Sequence, residues 1–574
     1  MDTKLNLKEL SELSPFELKN FLIETATRVS GQFMLNAGRG NPNFLATEPR
    51  YGFMQLLQFA LGESSRSFSY MPEGVGGFPE KDGLMARFEI FTDTHAGQPG
   101  IAFLRNAVSY VRDQLGLSDD AFVYELCEAA LGCMYPVPDR MLPLTEKIVA
   151  AYVRREMIGS RPFAGAFDLF AVEGGTAAIT YLFTTLKENF LLVPGDAIAI
   201  GMPVFTPYIE IPRLKDYDLV EVAVNADMEQ GWQYPAKELD KLLDPRVKAF
   251  FLVNPSNPPS VRLASKCLDY LAEIVKKRPD LIILTDDVYG TFADNFTSIF
   301  AVCPNNTVLV YSFSKYFGST GWRLGVIATH ETNVLDQGIA ALPAAKRKLL
   351  NERYASITTD PAKLKFIDRL VADSRTVALN HTAGLATPAQ AQMALFSLFS
   401  LMDEHDDYKA AMKRVIRRRK EALYRRVPIV PHDNHNDVDY YHVLDLEALG
   451  GQLFEPAFIK WLVAKLEPNE FLFTLADKAQ VVLLPESGFG DSRHAARVSL
   501  ANLKEVEYEA IGKALYELML EYYDEYRKAA KPAQAAKLEK ATKPAQAAKL
   551  EKAVKPTQAA KSEKAAKPTK AAKK

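Results

Sequence analysis

The sequence has few of the residues that disulfide frameworks and membrane spans require. Its 574 residues include only four cysteines, none in a Cys-x-x-Cys pair, so neither a disulfide-rich fold nor a zinc knuckle is expected. No apolar run approaches the roughly 18 residues of a transmembrane helix, and the N-terminal stretch lacks the apolar core of a secretion signal. These absences predict a cytoplasmic protein that makes no membrane contact.

The chain also lacks a strong net charge, but its charges are unevenly distributed. The formal net charge is −2, yet residues 531–574 contain 13 Lys, no Arg and 3 Glu and so carry +10, which leaves −12 for residues 1–530. This tail repeats a Lys-Pro unit every 12 residues and has almost nothing apolar to bury, which predicts disorder. Its composition fits loose contact with nucleic-acid phosphates and fits a purely solubilising role equally well.

Short apolar runs that alternate with helical periods are present between about residues 168 and 330. The runs lie at 168–172, 197–201, 248–253, 281–286 and 307–312, and helical candidates lie at 176–190 and 264–278. Buried strands that alternate with helices predict a mostly parallel sheet covered on both faces. A charged helix at 405–426, followed by runs at 440–449, 480–485 and 496–502, predicts a second, smaller α+β unit.

The first hundred residues predict a helix, a loop and an insertion. An amphipathic helical region covers residues 8–30, where Ser14, Pro15 and Glu17 supply an N-cap, a proline in the first turn and a capping-box glutamate. Turn-forming residues predict a loop over 35–44, and the Gly- and Pro-rich stretch 71–100 predicts a surface insertion.

The residues with the clearest chemistry follow the run at 307–312. That run ends in Ser312-Phe313-Ser314-Lys315, and Arg323 lies eight residues beyond the lysine. This set suits a phosphate-bearing carbonyl cofactor, because a lysine amine forms a Schiff base while serine and arginine hold the phosphate. The alternative is that Lys315 is a surface lysine after an edge strand.

This segment resembles the S-x-x-K-x(7)-R pattern of fold-type I pyridoxal-phosphate enzymes, the aspartate aminotransferase superfamily, and the resemblance covers roughly residues 35–503. It implies an α/β fold, pyridoxal 5′-phosphate as cofactor and Lys315 as the catalytic residue. The large domain would hold a mostly parallel seven-stranded sheet, and a smaller α+β domain would accompany it. The expected units are an N-terminal segment, 1–60, that adds to the small domain and substrate lid, a large domain, 61–380, a small domain, 381–530, and the tail, 531–574.

Further motifs resemble those with which the family makes its other cofactor contacts. Gly175 and Thr176, in Glu-Gly-Gly-Thr, would hold the phosphate, as helix N-termini attract anions. The resemblance also assigns Ser312, Ser314 and Arg323 to the phosphate. It places Phe205 over the pyridine face, and Asn257 on the cofactor's phenolic oxygen and near the substrate. The asparagine motif has Pro259-Ser260 where Thr-Gly is usual. Each motif alone also fits a turn or a core residue.

The run at 281–286 ends in a carboxylate that the resemblance assigns to the cofactor. Asp286 would pair with the pyridine nitrogen, and Tyr289 would hydrogen-bond the phenolic oxygen. Burial beside a cation is expected to lower the pKa of Asp286. Asp287 is one residue out of phase and is interpreted as a solvent-facing or helix-capping carboxylate.

The resemblance assigns two residues to the substrate carboxylate and the neighbouring subunit. Arg497 would grip the substrate α-carboxylate with its planar donors. Tyr135 would reach the cofactor phosphate from the neighbouring subunit. A homo-oligomer, at least a dimer with shared active sites, is therefore expected.

Within the superfamily, the chain length, the N-terminal lead, the 71–100 insertion and the 35–44 loop resemble aspartate 4-decarboxylases. These enzymes release the β-carboxylate of L-aspartate as CO2, leave L-alanine and have aspartate aminotransferase as a side activity. Arg39, beside Gly38, would then hold the β-carboxylate, because glycines let the backbone approach a ligand. Arg39 could instead be a solvated loop residue or part of an intersubunit ion pair.

Two other functions remain open. An ordinary aspartate or aromatic-type aminotransferase would carry the same cofactor residues. A non-catalytic regulator on the same fold would bind nucleic acid through the basic tail, although residues 1–34 are too short for a winged-helix domain. The polar stretch 432–435 is interpreted as a loop, and no metal site is expected.

Overall fold

The structure is a computed structural model that describes residues 15–28, 34–71, 73–205, 207–431, 434–467, 469–490 and 493–551. In these ranges the strands are β1 (Leu35–Asn36), β2 (Phe167–Val172), β3 (Ala197–Met202), β4 (Val220–Asn225), β5 (Val247–Val253), β6 (Ile282–Asp286), β7 (Thr307–Ser312), β8 (Gly325–His330), β9 (Tyr441–Asp445), β10 (Val481–Val482), β11 (Leu484–Pro485) and β12 (Ala495–Ser499).

The α-helices surround these strands and also form separate layers at both ends of the chain. They are α1 (Pro15–Arg28), α2 (Glu48–Ser67), α3 (Leu84–Thr94), α4 (Ile101–Asp113), α5 (Asp119–Leu131), α6 (Pro143–Val153), α7 (Gly174–Glu188), α8 (Pro207–Arg213), α9 (Ala236–Leu239), α10 (Ser265–Lys277), α11 (Ile299–Val302), α12 (Val334–Ala341), α13 (Ala344–Tyr354), α14 (Phe366–Asp373), α15 (Thr387–Met402), α16 (Asp407–Tyr424), α17 (Leu446–Leu453), α18 (Pro456–Lys465), α19 (Glu470–Ala479) and α20 (Glu505–Glu551).

The central element is a seven-stranded sheet with the order β2-β8-β7-β6-β5-β3-β4. Its strands run parallel except β8, which is antiparallel to both of its neighbours, β2 and β7. Every residue of β6, β7 and β8 is buried, as expected for strands covered by helices on both faces. The mostly parallel seven-stranded sheet and all five predicted strands in it are therefore confirmed.

A smaller antiparallel sheet has the order β11-β12-β9, and in it Arg497 lies opposite Val443. Near it, β1 pairs in parallel with β10, and α1 packs its Leu22 and Ala26 against Ala476 and Val482. The N-terminal segment is thus tied to the part of the chain that follows residue 440. Ser14, the predicted N-cap of the first helix, lies outside the described residues.

The insertion at 71–100 is not wholly a surface excursion, and that prediction is wrong for its second half. Residues 84–94 form α3, which starts after Gly83 in a left-handed conformation with φ of 70°. Leu84, Phe88 and Thr92 recur every four residues and are buried, and the rings of Phe88 and Phe59 lie 5.3 Å apart. The Gly and Pro residues before this helix hide its periodicity in the sequence.

The tail also differs from its prediction in part. Helix α20 continues through Glu551, so residues 531–551, expected to be disordered, are helical, and residues 552–574 lie outside the described part. Ala, Lys and Glu are strong helix formers, and extending an existing helix avoids the cost of nucleation. This helix begins in the core, where Tyr508, Ile511 and Leu515 are buried.

The remaining features of the described chain concern membrane spans, cysteines and metal ligands. No helix in the described ranges combines the length and apolar character that crossing a bilayer requires. All four cysteines are free thiols. In the same ranges, no group of three or more His, Cys, Asp or Glu residues is arranged to hold a metal ion, and two members of the 432–435 stretch lie outside them.

Candidate active site

A cavity of about 430 Å³ opens where the parallel strands of the large sheet end. Loops after β2, β3, β5, β6 and β7 form one wall, and the 38–41 loop with β9 and β12 forms the other. Thirteen predicted site residues line it: Gly38, Arg39, Gly175, Thr176, Phe205, Asn257, Asp286, Tyr289, Ser312, Ser314, Lys315, Arg323 and Arg497. The fold thus gathers into one cavity residues that lie up to 459 positions apart in the chain.

One end of the cavity is built to hold an anion. Gly175 and Thr176 lie in the first turn of α7, a 15-residue helix whose N-terminal N–H groups have no intrahelical partner. The hydroxyl oxygens of Ser312 and Ser314 lie 3.0 Å apart beside this turn. The Arg323 guanidinium completes the group, so helix dipole, hydroxyls and a fixed cation converge on one place.

Arg323 is held in position by backbone carbonyls. Its Nη1 donates to the Thr320 carbonyl at 3.0 Å and its Nη2 to the Glu173 carbonyl at 3.1 Å. Gly174 has φ of 84°, and a Cβ at that position would lie 2.5 Å from Nη2 of Arg323. Only glycine therefore allows the arginine to lie this close to the helix N-terminus.

Asp286 ends β6 and is almost fully buried at the other end of the cavity. Its Oδ2 accepts a hydrogen bond from the Tyr208 hydroxyl at 2.7 Å, and its Oδ1 accepts one from the Val288 N–H at 3.2 Å. Burial nevertheless raises the pKa of Asp286 to about 6, since loss of water outweighs these bonds and the Lys315 charge. The lowered pKa was predicted for Asp286 beside the cation of the cofactor ring, and it stays a prediction.

Asp287 is not the solvent-facing or helix-capping carboxylate that the sequence suggested. It is completely buried, and its Oδ1 accepts a hydrogen bond from the Thr285 hydroxyl at 2.5 Å. Burial, with a smaller contribution from the nearby Asp286 charge, raises the pKa of Asp287 to about 7. The chain leaves β6 with two adjacent buried carboxyls, of which only Asp286 lines the cavity.

Lys315 lies between the two ends and contacts the N-terminal loop. Its Nζ donates a hydrogen bond of 3.0 Å to the Gly40 carbonyl. The Tyr440 hydroxyl donates to the same carbonyl at 2.9 Å. The 38–41 loop is thus held directly against the lysine amine.

Arg497 is buried on the wall opposite the phosphate end. Its Nη1 donates to Oδ1 of Asn257 at 2.9 Å and its Nη2 to the Gly38 carbonyl at 2.8 Å. Its Nε is buried and has no hydrogen-bond partner in the described part of the chain. The guanidinium therefore places a positive charge in the cavity wall, and one of its N–H groups has no partner among the described residues.

Two predicted residues have few contacts inside this chain. Arg39 lines the cavity but is exposed, and its side chain makes no ion pair with any described residue. Tyr135 does not line the cavity, is 65% exposed and lies 6.3 Å from the His381 ring, centroid to centroid.

Sequence reasoning missed two cavity tyrosines. Tyr208 lies three residues after Phe205 in the same motif, a signal that could have indicated a second ring near the cofactor. Tyr441 was included only as part of the run at 440–449, although the register that pairs it with Ser499 brings it beside Arg497.

The geometry agrees with comparisons to known proteins. A family model described as aminotransferase class I and II matches residues 158–515, more than half of the chain. The chain belongs to this family. Class I and II aminotransferases are pyridoxal-phosphate enzymes, so pyridoxal 5′-phosphate is the cofactor here.

Individual relatives extend this assignment over almost the whole chain. A bifunctional aspartate aminotransferase and L-aspartate beta-decarboxylase from a Pseudomonas species is 56% identical over 525 residues, which is 91% of this chain and 99% of the relative. A Thermus thermophilus aspartate aminotransferase mutant has a TM-score of 0.55 at 16% identity over 88% of this chain and 97% of its own. An aromatic aminotransferase from Pyrococcus horikoshii has a TM-score of 0.53 at 18% identity over 88% and 99%. The two structures show the shared fold.

The cavity fits this cofactor on its own chemistry. A phosphate needs the donors and positive charge found around Arg323, and a pyridine nitrogen needs a buried acid such as Asp286. The amine that would bind the aldehyde, on Lys315, lies in the same cavity. The donor set, the lone buried acid of the cavity wall and the amine thus match the three polar parts of the cofactor.

Proposed function

We propose that this aminotransferase-family enzyme catalyses the β-decarboxylation of L-aspartate to L-alanine and CO2, with aspartate aminotransferase as a second activity. The observation that carries this proposal is the 56% identity to a relative with both activities in its name, over 99% of that relative. The single cavity that collects the cofactor-type residues supports it from the structure.

On this proposal different groups of cavity residues contact different parts of the cofactor. Gly175, Thr176, Ser312, Ser314 and Arg323 would hold its phosphate, and Phe205 would cover its ring. Asn257 and Tyr289 would hydrogen-bond its phenolic oxygen. When bound, the cofactor supplies a carbonyl and an electron sink.

Asp286 holds the charge at the ring nitrogen. A cation placed against this buried carboxylate favours its ionised form and offsets the burial that raises its pKa to about 6. The Tyr208 hydroxyl donates a hydrogen bond to Oδ2, so the carboxylate is oriented before any ligand arrives. Asp286 is therefore the residue that keeps the ring nitrogen protonated.

Lys315 moves protons within the cavity. Its amine lies beside the 38–41 loop, where it can take a proton from the substrate and return it at another atom. The hydrogen bond to the Gly40 carbonyl orients Nζ before the substrate enters.

Arg497 binds the α-carboxylate of aspartate. A planar guanidinium offers two parallel donors to a carboxylate, and Arg497 is already desolvated, which strengthens such a pair. Its contacts with Asn257 and Gly38 hold the guanidinium plane.

Arg39, next to Gly38, binds the β-carboxylate. A decarboxylase must hold this group yet allow it to leave as neutral CO2, so tight binding of the ground state would slow the step. An exposed arginine on the cavity rim, without an ion pair in the described chain, suits this weak hold better than a buried one.

The enzyme acts as a homo-oligomer, at least a dimer with shared sites. Tyr135 would then complete the phosphate site of the partner subunit, which accounts for an exposed tyrosine outside the cavity of its own chain. Exposed apolar side chains near it, Met134, Val137 and Leu379, support a contact surface there.

The cytoplasmic location stays part of the proposal, and four free thiols fit a reducing compartment. A role for the tail in binding nucleic acid has no support from the similar proteins, whose names are those of enzymes. The enzyme is therefore favoured over the regulator.

Product analysis tests the proposed activity against an ordinary aminotransferase, which the family match alone also allows. The purified enzyme with its cofactor is given L-aspartate and no keto acid, and alanine, CO2 and oxaloacetate are measured. Alanine and CO2 in equal amounts over many turnovers support the decarboxylase. If the aspartate is converted only to oxaloacetate, and only when a keto acid is added, the enzyme is an ordinary aminotransferase.

A further inference from the structure

Tyr441 lies in the candidate site but has no part in the cofactor and substrate contacts proposed above. It opens β9, it is 3% exposed and it lines the cavity. The Arg497 guanidinium carbon lies 4.0 Å from the centre of its ring, a cation–π contact between neighbouring strands. The ring is therefore fixed in the cavity wall.

The hydroxyl of Tyr441 and the lysine amine both lie beside Gly40. The Tyr289 hydroxyl donates a hydrogen bond of 2.9 Å to it. A Cβ on Gly40 would lie 2.3 Å from this hydroxyl and 3.3 Å from Nζ of Lys315, so both groups face the same small space. Glycine at position 40 leaves that space free.

Charged and titratable groups surround the Tyr441 hydroxyl from several elements. Lys315 and Arg497 are the cations, Asp286 is the anion, and Tyr289 and Tyr440 are neighbouring phenols. Burial alone would raise the pKa of Tyr441, but the two cations and the Tyr289 hydrogen bond outweigh burial and lower it. Burial raises the pKa values of Tyr289 and Tyr440 well above the ordinary range. Of the three phenols, Tyr441 loses its proton first.

We propose that the Tyr441 hydroxyl is the proton acceptor that frees the Lys315 amine. When Tyr441 is ionised, one proton passes from the Lys315 ammonium to its phenolate, which leaves a neutral amine and a neutral phenol. An ammonium has no lone pair, so the amine must lose this proton before it adds to a carbonyl carbon. The addition then releases one water. The inference rests on the proposed cofactor role of Lys315 and not on aspartate as substrate.

Cofactor addition to the apoenzyme tests this role without any turnover. The rate of pyridoxal-phosphate addition is followed by absorbance from pH 6 to 10 in the wild type, Tyr441→Phe and Tyr440→Phe. Tyr440 is the matched control, because its hydroxyl also reaches Gly40 but has a raised pKa. Tyr441→Phe should slow addition near neutral pH by about a hundredfold, the low end of general base effects, with the profile moved to higher pH. Tyr440→Phe should keep the wild-type profile.

Phenolate absorbance gives a second readout that needs no carbonyl chemistry. The wild-type apoenzyme should show one tyrosine that ionises below the ordinary tyrosine pKa of about 10, and Tyr441→Phe should lack it. Absence of such a tyrosine in the wild type would overturn the proposal even if the variant failed to fold. An unchanged addition profile in Tyr441→Phe, or equal slowing in both variants, would also overturn it. Neither readout involves aspartate, so both are independent of the decarboxylase assignment.

Discussion

Asp286 and Asp287 are neighbours in the chain, but the end of β6 directs them into different surroundings. Asp286 lines the cavity and accepts a hydrogen bond from Tyr208, whereas Asp287 hydrogen-bonds Thr285 inside the core. Both carboxyls have raised pKa values because both are buried. Because only Asp286 lines the cavity, a cation that binds there can stabilise the ionised form of Asp286 but not that of Asp287.

The apoenzyme should therefore lose stability through Asp286 as the pH rises. The carboxyl titrates near 3.8 when unfolded and about 6 when folded, so between these values the folded state binds more protons and the free energy of unfolding falls. At 1.36 kcal/mol per pKa unit the loss is roughly 2–3 kcal/mol, complete above about pH 6. Urea unfolding of apo wild type and apo Asp286→Asn from pH 4 to 7 measures the difference. Parallel profiles for the two proteins would contradict the raised pKa.

Arg39 should control which product forms. Arg39→Ala removes the proposed contact with the β-carboxylate, so alanine formation should fall roughly ten- to hundredfold, the equivalent of 1.5–3 kcal/mol for a charged hydrogen bond. Oxaloacetate formation with an added keto acid should fall less, because transamination breaks no bond at that carboxylate. The ratio of the two products is the measurement.

Arg39→Lys is the matched control, because it keeps the charge and should recover part of the alanine formation. An equal fall in both products would make Arg39 a general substrate contact. No fall in either would remove it from the site.

Several site residues were predictable because short motifs keep them close in sequence. Ser312 ends β7 and Ser314 and Lys315 follow it, and the turn between strand and helix fixes Gly175. Tyr441 was not predictable, because its place beside Lys315 depends on strand register and on a loop 400 residues earlier. The raised pKa of Asp286 in the protein alone was not predictable, because the amount of burial follows from packing that the sequence does not show.

Among the elements, the buried strands of the large sheet were the most predictable, since continuous apolar runs have few other uses. β4 was missed although valines recur at every second position, because it is an edge strand with mostly exposed or half-buried residues and its charged and polar residues interrupt the apolar pattern. β8 is fully buried but follows the glycine-bearing loop after Lys315, which obscured its start. α3 was hidden by its Gly- and Pro-rich neighbours.

Helix α20 combines a core segment with the repeat tail. Its first turns bury Tyr508 and Ile511, whereas the repeats offer almost no apolar side chain. Truncation after residue 530 should therefore leave the alanine formation rate and the melting temperature unchanged. If either falls, the +10 tail contacts the −12 body, and high salt should reproduce the loss in the full chain. A truncation further back, before Tyr508, should unfold the protein and serves as the positive control.

At the scale of the whole molecule, the proposed dimer has two chains build each site. Tyr135 lies outside the cavity of its own chain, and the phosphate donors of that cavity come from the same chain as Lys315. Each subunit then contributes to two sites.

Hybrid enzymes test this sharing. Lys315→Ala and Tyr135→Ala should each be impaired as homo-oligomers. In a co-expressed mixture half of the dimers are hybrids with one intact site of two, so about one quarter of wild-type activity should return. A mixture no more active than its two components would show that Tyr135 does not act across subunits.

The central claim is that the cavity around Lys315 releases the β-carboxylate of aspartate. It is tested most directly by giving the cofactor-loaded enzyme two samples of L-aspartate, one labelled in the β-carboxyl carbon and one in the α-carboxyl carbon. We expect labelled CO2 only from the first sample, unlabelled CO2 with labelled alanine from the second, and neither product with Lys315→Ala. Labelled CO2 from the α-carboxyl sample, or undiminished release by Lys315→Ala, would contradict it.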